Sequence, residues 1–76
     1  MDEQRLKKVL CNILDILEIE INEQSSMKSI SNWDSLKHIQ LMTAIEEEFG
    51  VTLSIDDMIS MTNYPTILKT VSAFQK

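Results

Sequence analysis

The chain has little of what builds sheets, disulfide frameworks or membrane spans. One glycine and one proline in 76 residues leave few tight turns, so the pattern argues for helices rather than a stack of hairpins. The lone cysteine, Cys11, can close no internal disulfide, and with the single histidine, His38, it cannot complete a zinc site. Cys11 reads instead as a small hydrophobe, buried or half-buried. No apolar run approaches the roughly 20 residues that cross a bilayer. The first eight residues are charged and lack a signal-peptide core. These absences give the expectation of a cytoplasmic protein with no membrane insertion.

Catalytic constellations are missing too. A serine nucleophile needs a histidine base oriented by a carboxylate. His38 is the only histidine, and its wheel position falls between Met42 and Ile45, on the apolar side of a helix. That is the place of a satisfied, half-buried imidazole. There is no Gly-x-Ser-x-Gly elbow, no glycine-rich phosphate loop and no calcium-loop pattern. The chain is therefore not expected to be an enzyme.

What is present is enough apolar sequence, 43% of residues, for one small domain over residues 1–76 with a thin core. The net charge of −5 is unevenly spread. Residues 34–64 carry six acids and one base, Lys37, so the middle of the chain holds the whole imbalance. Such a surface repels nucleic acid and suits partners with basic docking faces, although solubility alone would also explain it.

Apolar spacing sets out the elements. Leu6, Val9, Leu10, Ile13, Ile16 and Leu17 form one stripe, which predicts a first helix over 2–18 started by Asp2 or Glu3. Residues 20–33 form a long polar connection with anchors at Ile21, Met27, Ile30 and Trp33, read as a packed loop. A second helix over 35–49 has Leu36, Ile39, Leu41, Met42, Ala44, Ile45 and Phe49 on more than half of its wheel, the breadth of a central helix. Gly50 suits its left-handed cap. Ser54 and the acids Asp56 and Asp57 open a short third helix over about 55–61. A last helix over about 66–75, capped by Thr66 or begun by Pro65, turns Ile67, Val71 and Phe74 inward. The expected fold is all-α: three longer helices, one short third helix and a long first loop.

The junction Asn32-Trp33-Asp34-Ser35-Leu36-Lys37-His38 is the centre of the pattern. There a polar loop meets a helix N-terminus, where unpartnered N–H groups and the dipole favour an anion. Ser35 suits a helix cap or the site of a phosphoryl group. Asp34 can cap as well, which makes Ser35 partly redundant in that role.

Asp34-Ser35-Leu36, then Leu41, then Ile45-Glu46-Glu47-Glu48-Phe49-Gly50, resembles the Asp-Ser-Leu region of acyl carrier proteins. Ser54-Ile55-Asp56-Asp57 and Thr66-Ile67 with Val71 extend the likeness to nearly the whole chain. The resemblance implies an acyl-carrier-protein-like four-helix bundle, monomeric and non-catalytic. It implies that Ser35 carries 4′-phosphopantetheine, attached from coenzyme A by a phosphopantetheinyl transferase. The arm would hold an acyl or aminoacyl group as a thioester. A loading ligase and downstream transferases or synthases would be the further partners. It also implies docking through Asp34, Leu36, Glu46, Glu47 and Asp57. Leu41, Met42, Ile45, Met58, Ile59 and Met61 are candidates to line an acyl pocket, or else plain core. The sequence departs from the family at Asn32, where a glycine is common, and at Lys37 and Gln40, where fatty-acid carriers usually show acids. Lys37 and Gln40 are therefore candidate partner selectors, and a specialised carrier is implied. The reading outside the family is a small acidic interaction module with no prosthetic group.

Overall fold

Asp2 starts the first helix, as expected of a carboxylate at that end. Its side chain accepts from the N–H groups of Gln4 and Arg5 at 3.1 and 3.3 Å. The computed structural model describes residues 2–74. Among them are four α-helices: α1, Glu3–Leu14; α2, Ser35–Phe49; α3, Ile55–Ser60; and α4, Tyr64–Phe74.

α1 is shorter than its apolar stripe. It stops at Leu14 because Asp15 takes the left-handed conformation, with φ 54° and ψ 52°. A non-glycine residue pays for that geometry, and three hydrogen bonds offset it. The Asp15 and Ile16 N–H groups both reach the carbonyl of Cys11, and Asn32 Nδ2 donates to the Leu14 carbonyl at 3.0 Å. A single 3-10 turn, Glu18–Glu20, follows. Ile16 still packs on the core, but Leu17 points into solvent.

The long connection is a packed loop. Ile21 and Trp33 are buried in the core, and Met27 and Ile30 pack against it half-buried. Its middle is tied to the start of α4. Met27 N–H donates to the Thr62 carbonyl and Tyr64 N–H to the Ser25 carbonyl, at 3.0 and 2.8 Å. Ser25, a buried polar residue, is satisfied within the loop: its hydroxyl donates to the Glu20 carbonyl and accepts from Asn22 N–H.

The second helix has the predicted bounds, and Gly50 ends it at φ 64° as expected. Its buried residues are Leu41, Met42, Ile45 and Phe49. Leu36 and Ile39 lie on the opposite face, 64% and 65% exposed, so α2 buries a narrower stripe than its composition suggests. α3 begins with the expected Ser54 cap, which forms a reciprocal box with Asp57. None of its own residues is fully buried. α4 begins earlier than predicted. Asn63 caps it, its side chain accepting from Thr66 N–H at 2.8 Å, so neither Thr66 nor Pro65 opens the helix. Ile67 and Val71 are buried, whereas Phe74 is half exposed rather than inward. The expected end at Gln75 lies outside the described residues.

The core joins Leu6, Leu10 and Leu14 of α1, the inner stripe of α2, and Ile67 and Val71 of α4, with Trp33, Leu53 and Met61 from the connections. Two polar ties fasten α1 from outside. The Arg5 guanidinium bonds both the Glu48 carboxylate and the Glu48 carbonyl and lies 5.2 Å from the Phe49 ring centre. The Tyr64 hydroxyl donates to Glu3 Oε2 at 2.8 Å. Burial, then the hydrogen bond and charge of Glu3, push the Tyr64 phenol well above its usual range. The folded state therefore keeps its proton where the unfolded chain has lost it, so this contribution is full below pH ~10 and is lost as pH rises above that. Wild-type stability should fall more steeply above pH ~10 than that of Tyr64→Phe. Parallel denaturation curves of the two proteins from pH 9 upward would contradict this assignment.

Candidate functional site

Ser35 is the first residue of α2. Asp34 before it has an extended backbone, and its carboxylate accepts from Lys37 N–H at 2.9 Å. The Asp34 carbonyl takes the first helical bond, from His38 N–H at 2.8 Å. Asp34 is thus the cap, and Ser35 is relieved of that role. Ser35 is exposed, and among the described residues its hydroxyl has no hydrogen-bond partner. The N–H groups of this first turn lie beyond the reach of intrahelical bonding and are directed toward an anion-favouring end.

The segment that delivers Ser35 is rigidly braced. Trp33 is 1% exposed, and its N–H closes a turn onto the Ile30 carbonyl at 3.0 Å. The Trp33 indole N–H donates to His38 Nδ1 at 3.0 Å, and His38 Nε2 lies 2.7 Å from the Met58 carbonyl of α3. His38 is half-buried, as its wheel position suggested. The two bonds it makes were not legible in the sequence, because they depend on where α3 falls.

The expected docking residues separate into two kinds. Leu36, Gln40 and Glu47 are exposed on the outer face of α2, with Lys37 half-buried beside them. Among the described residues Glu47 and Asp56 have no ion-pair or hydrogen-bond partner. Glu46 is committed: its carboxylate accepts from Leu53 N–H at 2.8 Å and pins the loop after α2. Asp57 is half-buried and accepts from Ser54 N–H in the α3 cap. Apart from the capping Asp34 and Lys37, the outer face near Ser35 is therefore apolar or neutral, and the run of acids begins near the end of α2. The pocket candidates also divide. Leu41, Met42, Ile45 and Met61 are fully buried, and Met58 is packed against them. Ile59 is 66% exposed and does not reach the interior.

Cys11 is half-buried, and burial followed by the charges of Glu18 and Glu20 pushes its thiol up. That keeps it protonated and a poor nucleophile. Among the described residues no cluster of side chains could hold a metal ion, and no helix is long and apolar enough to cross a membrane.

Residues 4–74 match the family model described as a phosphopantetheine attachment site. This chain belongs to that family of carrier proteins. It is similar to the polyketide-8 synthase acyl carrier protein 1 of Streptomyces avermitilis, with 33% identity over 92% of this chain and 83% of that protein. It is also similar to an acyl carrier protein of Buchnera aphidicola, with 26% identity over 95% of this chain and 92% of that protein. The all-helical fold agrees with the acyl-carrier bundle. Membership makes the protein a non-catalytic carrier with 4′-phosphopantetheine as its prosthetic group. A carrier of this family works with a phosphopantetheinyl transferase and with synthase-type enzymes in general.

Proposed function

We propose that Ser35 is the residue that carries the arm, and that this carrier serves a specialised biosynthetic pathway rather than housekeeping fatty-acid synthesis. The exposed hydroxyl of Ser35, with its capping role taken by Asp34, is the observation that carries the reading. In loading, Ser35 Oγ forms the new O–P bond as the pyrophosphate link of coenzyme A breaks and adenosine 3′,5′-bisphosphate leaves; the serine proton passes to a base of the transferase, which also supplies the metal. The first-turn N–H groups of α2 favour the phosphodiester charge that results. When bound, the group supplies a thiol that holds an acyl or aminoacyl load as a thioester. Asp34 keeps the first turn closed, and Trp33 keeps the serine-bearing segment against the core.

The buried residues Leu41, Met42, Ile45 and Met61, with Met58 at their edge, are the lining available to an apolar load, and three of these are adaptable methionines. Glu47 is the better docking acid, with Asp56 beside the committed Asp57. The chain acts as one monomeric domain in the cytoplasm. A loading ligase and downstream transferases or synthases are its finer partners.

Incubating the unloaded chain with coenzyme A and a broad-specificity transferase, then taking an intact mass, tests the reading. One phosphopantetheine should add to wild type and none to Ser35→Ala. Equal addition to both would overturn it.

The specialised role rests on Lys37 and Gln40, and the polyketide relative supports it. Changing both to glutamate adds acid beside Ser35. Docking to a fatty-acid enzyme with a basic face should then improve by about two- to tenfold at low salt, and the gain should shrink as salt rises. Unchanged kcat/KM with such an enzyme would defeat this assignment.

A further inference from the structure

α3 is a six-residue helix that fully buries none of its own side chains, and Ile55 and Ile59 face solvent. A helix so short has no stability of its own and stands where its surroundings hold it. Leu53 and Met61 anchor the chain on either side of it. Among the described residues, only one side-chain hydrogen bond joins α3 itself to another element: that between His38 and the Met58 carbonyl, at 2.7 Å. The Met58 carbonyl lies in the last turn of α3, where intrahelical bonding leaves acceptors open. His38 therefore closes the end of one helix from the side of another.

The other ring nitrogen fixes the chemistry. An indole N–H can only donate, so Nδ1 must accept from Trp33; a carbonyl can only accept, so Nε2 must carry the proton. The chain's only histidine thus joins two things: the buried residue two positions before Ser35, and α3. We propose that His38 is a positioning residue that sets where α3 stands relative to Ser35, and so presents both to a docking enzyme as one rigid surface. The effect on docking rests on the assignment of Ser35; the fastening of α3 does not.

Two substitutions separate the bonds. In His38→Asn the amide oxygen falls near the position of Nδ1, so the Trp33 bond can persist while the reach to Met58 is lost. In His38→Gln the longer amide places a donor near the position of Nε2 and can keep the bond to α3. Hydrogen exchange is measured on the unloaded full chain. His38→Asn should speed exchange of the amides of residues 57–61 by about tenfold or more, while core amides of α1 and α2 stay within about threefold and His38→Gln stays near wild type throughout. With the transferase, His38→Asn should raise the KM for the carrier by about threefold or more and leave kcat within about twofold. Four results would overturn the proposal: unchanged exchange in His38→Asn, equal acceleration in all helices, identical behaviour of the two variants, or a fall in kcat with KM unmoved. A wild-type chain that accepts no arm would defeat the Ser35 assignment instead, and the exchange result would still decide the fastening.

Discussion

Trp33→Ala is expected to cost about 3–5 kcal/mol, the range for truncating a large buried aromatic. The side chain is 1% exposed and is the largest in the core. The chain is small, and its whole stability is of order 4–11 kcal/mol by the usual per-residue scale. The variant should therefore unfold at markedly lower denaturant or lie close to its midpoint in water. Two effects combine. A cavity opens where the long loop meets α2, and His38 Nδ1 loses its donor. Trp33→Phe, which keeps an aromatic ring but loses the indole N–H and part of the buried volume, should cost less, about 1–3 kcal/mol. Urea denaturation followed by circular dichroism checks both. A Trp33→Ala midpoint matching wild type would mean that the loop is not braced as described.

Ser35→Ala should behave in the opposite way. Its side chain is exposed and unpartnered among the described residues, and Asp34 already caps α2. Stability should stay within about 0.5 kcal/mol of wild type, since alanine is also a good helix former. Loading should nevertheless vanish, because no neighbouring hydroxyl occupies the first position of a helix of this length. Ser54 is a cap whose oxygen accepts from Asp57 N–H at 3.0 Å, and the Ser60 hydroxyl is bonded to the Asp57 carbonyl at 2.9 Å. Threonine at position 35 keeps the hydroxyl but adds a methyl, so a strong fall in loading rate without loss of fold is expected there. A folded Ser35→Ala that still loads at the wild-type rate would place the arm elsewhere.

Much of this was written in the sequence, and the exceptions have physical causes. α2 was legible to the residue because strong signals bound it, Asp34 and Ser35 at one end and Gly50 at the other. α3 is legible through the Ser54 cap and the acids Asp56 and Asp57 at its start. α1 was over-extended because Ile16 and Leu17 continue its stripe past Asp15. The stop rests on the left-handed Asp15, the bonds to the Cys11 carbonyl and the tertiary bond from Asn32 to Leu14, none of which the apolar stripe reveals. The early start of α4 has a local signal: Asn63 sits three residues before Thr66, the spacing of a side-chain cap. Periodicity puts Ile39, Ile59 and Phe74 inside because it reports apolar character, not which apolar face finds a partner; Leu36, on the same apolar wheel but also expected to dock, is exposed. The exposure of Leu36, Ile39 and Ile59 leaves an apolar outer surface on α2 and α3. The half-burial of His38 is legible, but its partners and the bond that commits Glu46 are not. Each depends on a partner 7 or 20 residues away being brought to it by the fold.

Fragment-mass mapping of the loaded protein tests most directly where the arm attaches. After loading from coenzyme A, the added group should be found on the peptide segment that begins Asp34-Ser35-Leu36, with fragment ions assigning it to Ser35. An addition mapped to any other serine, or to Cys11, would contradict the account.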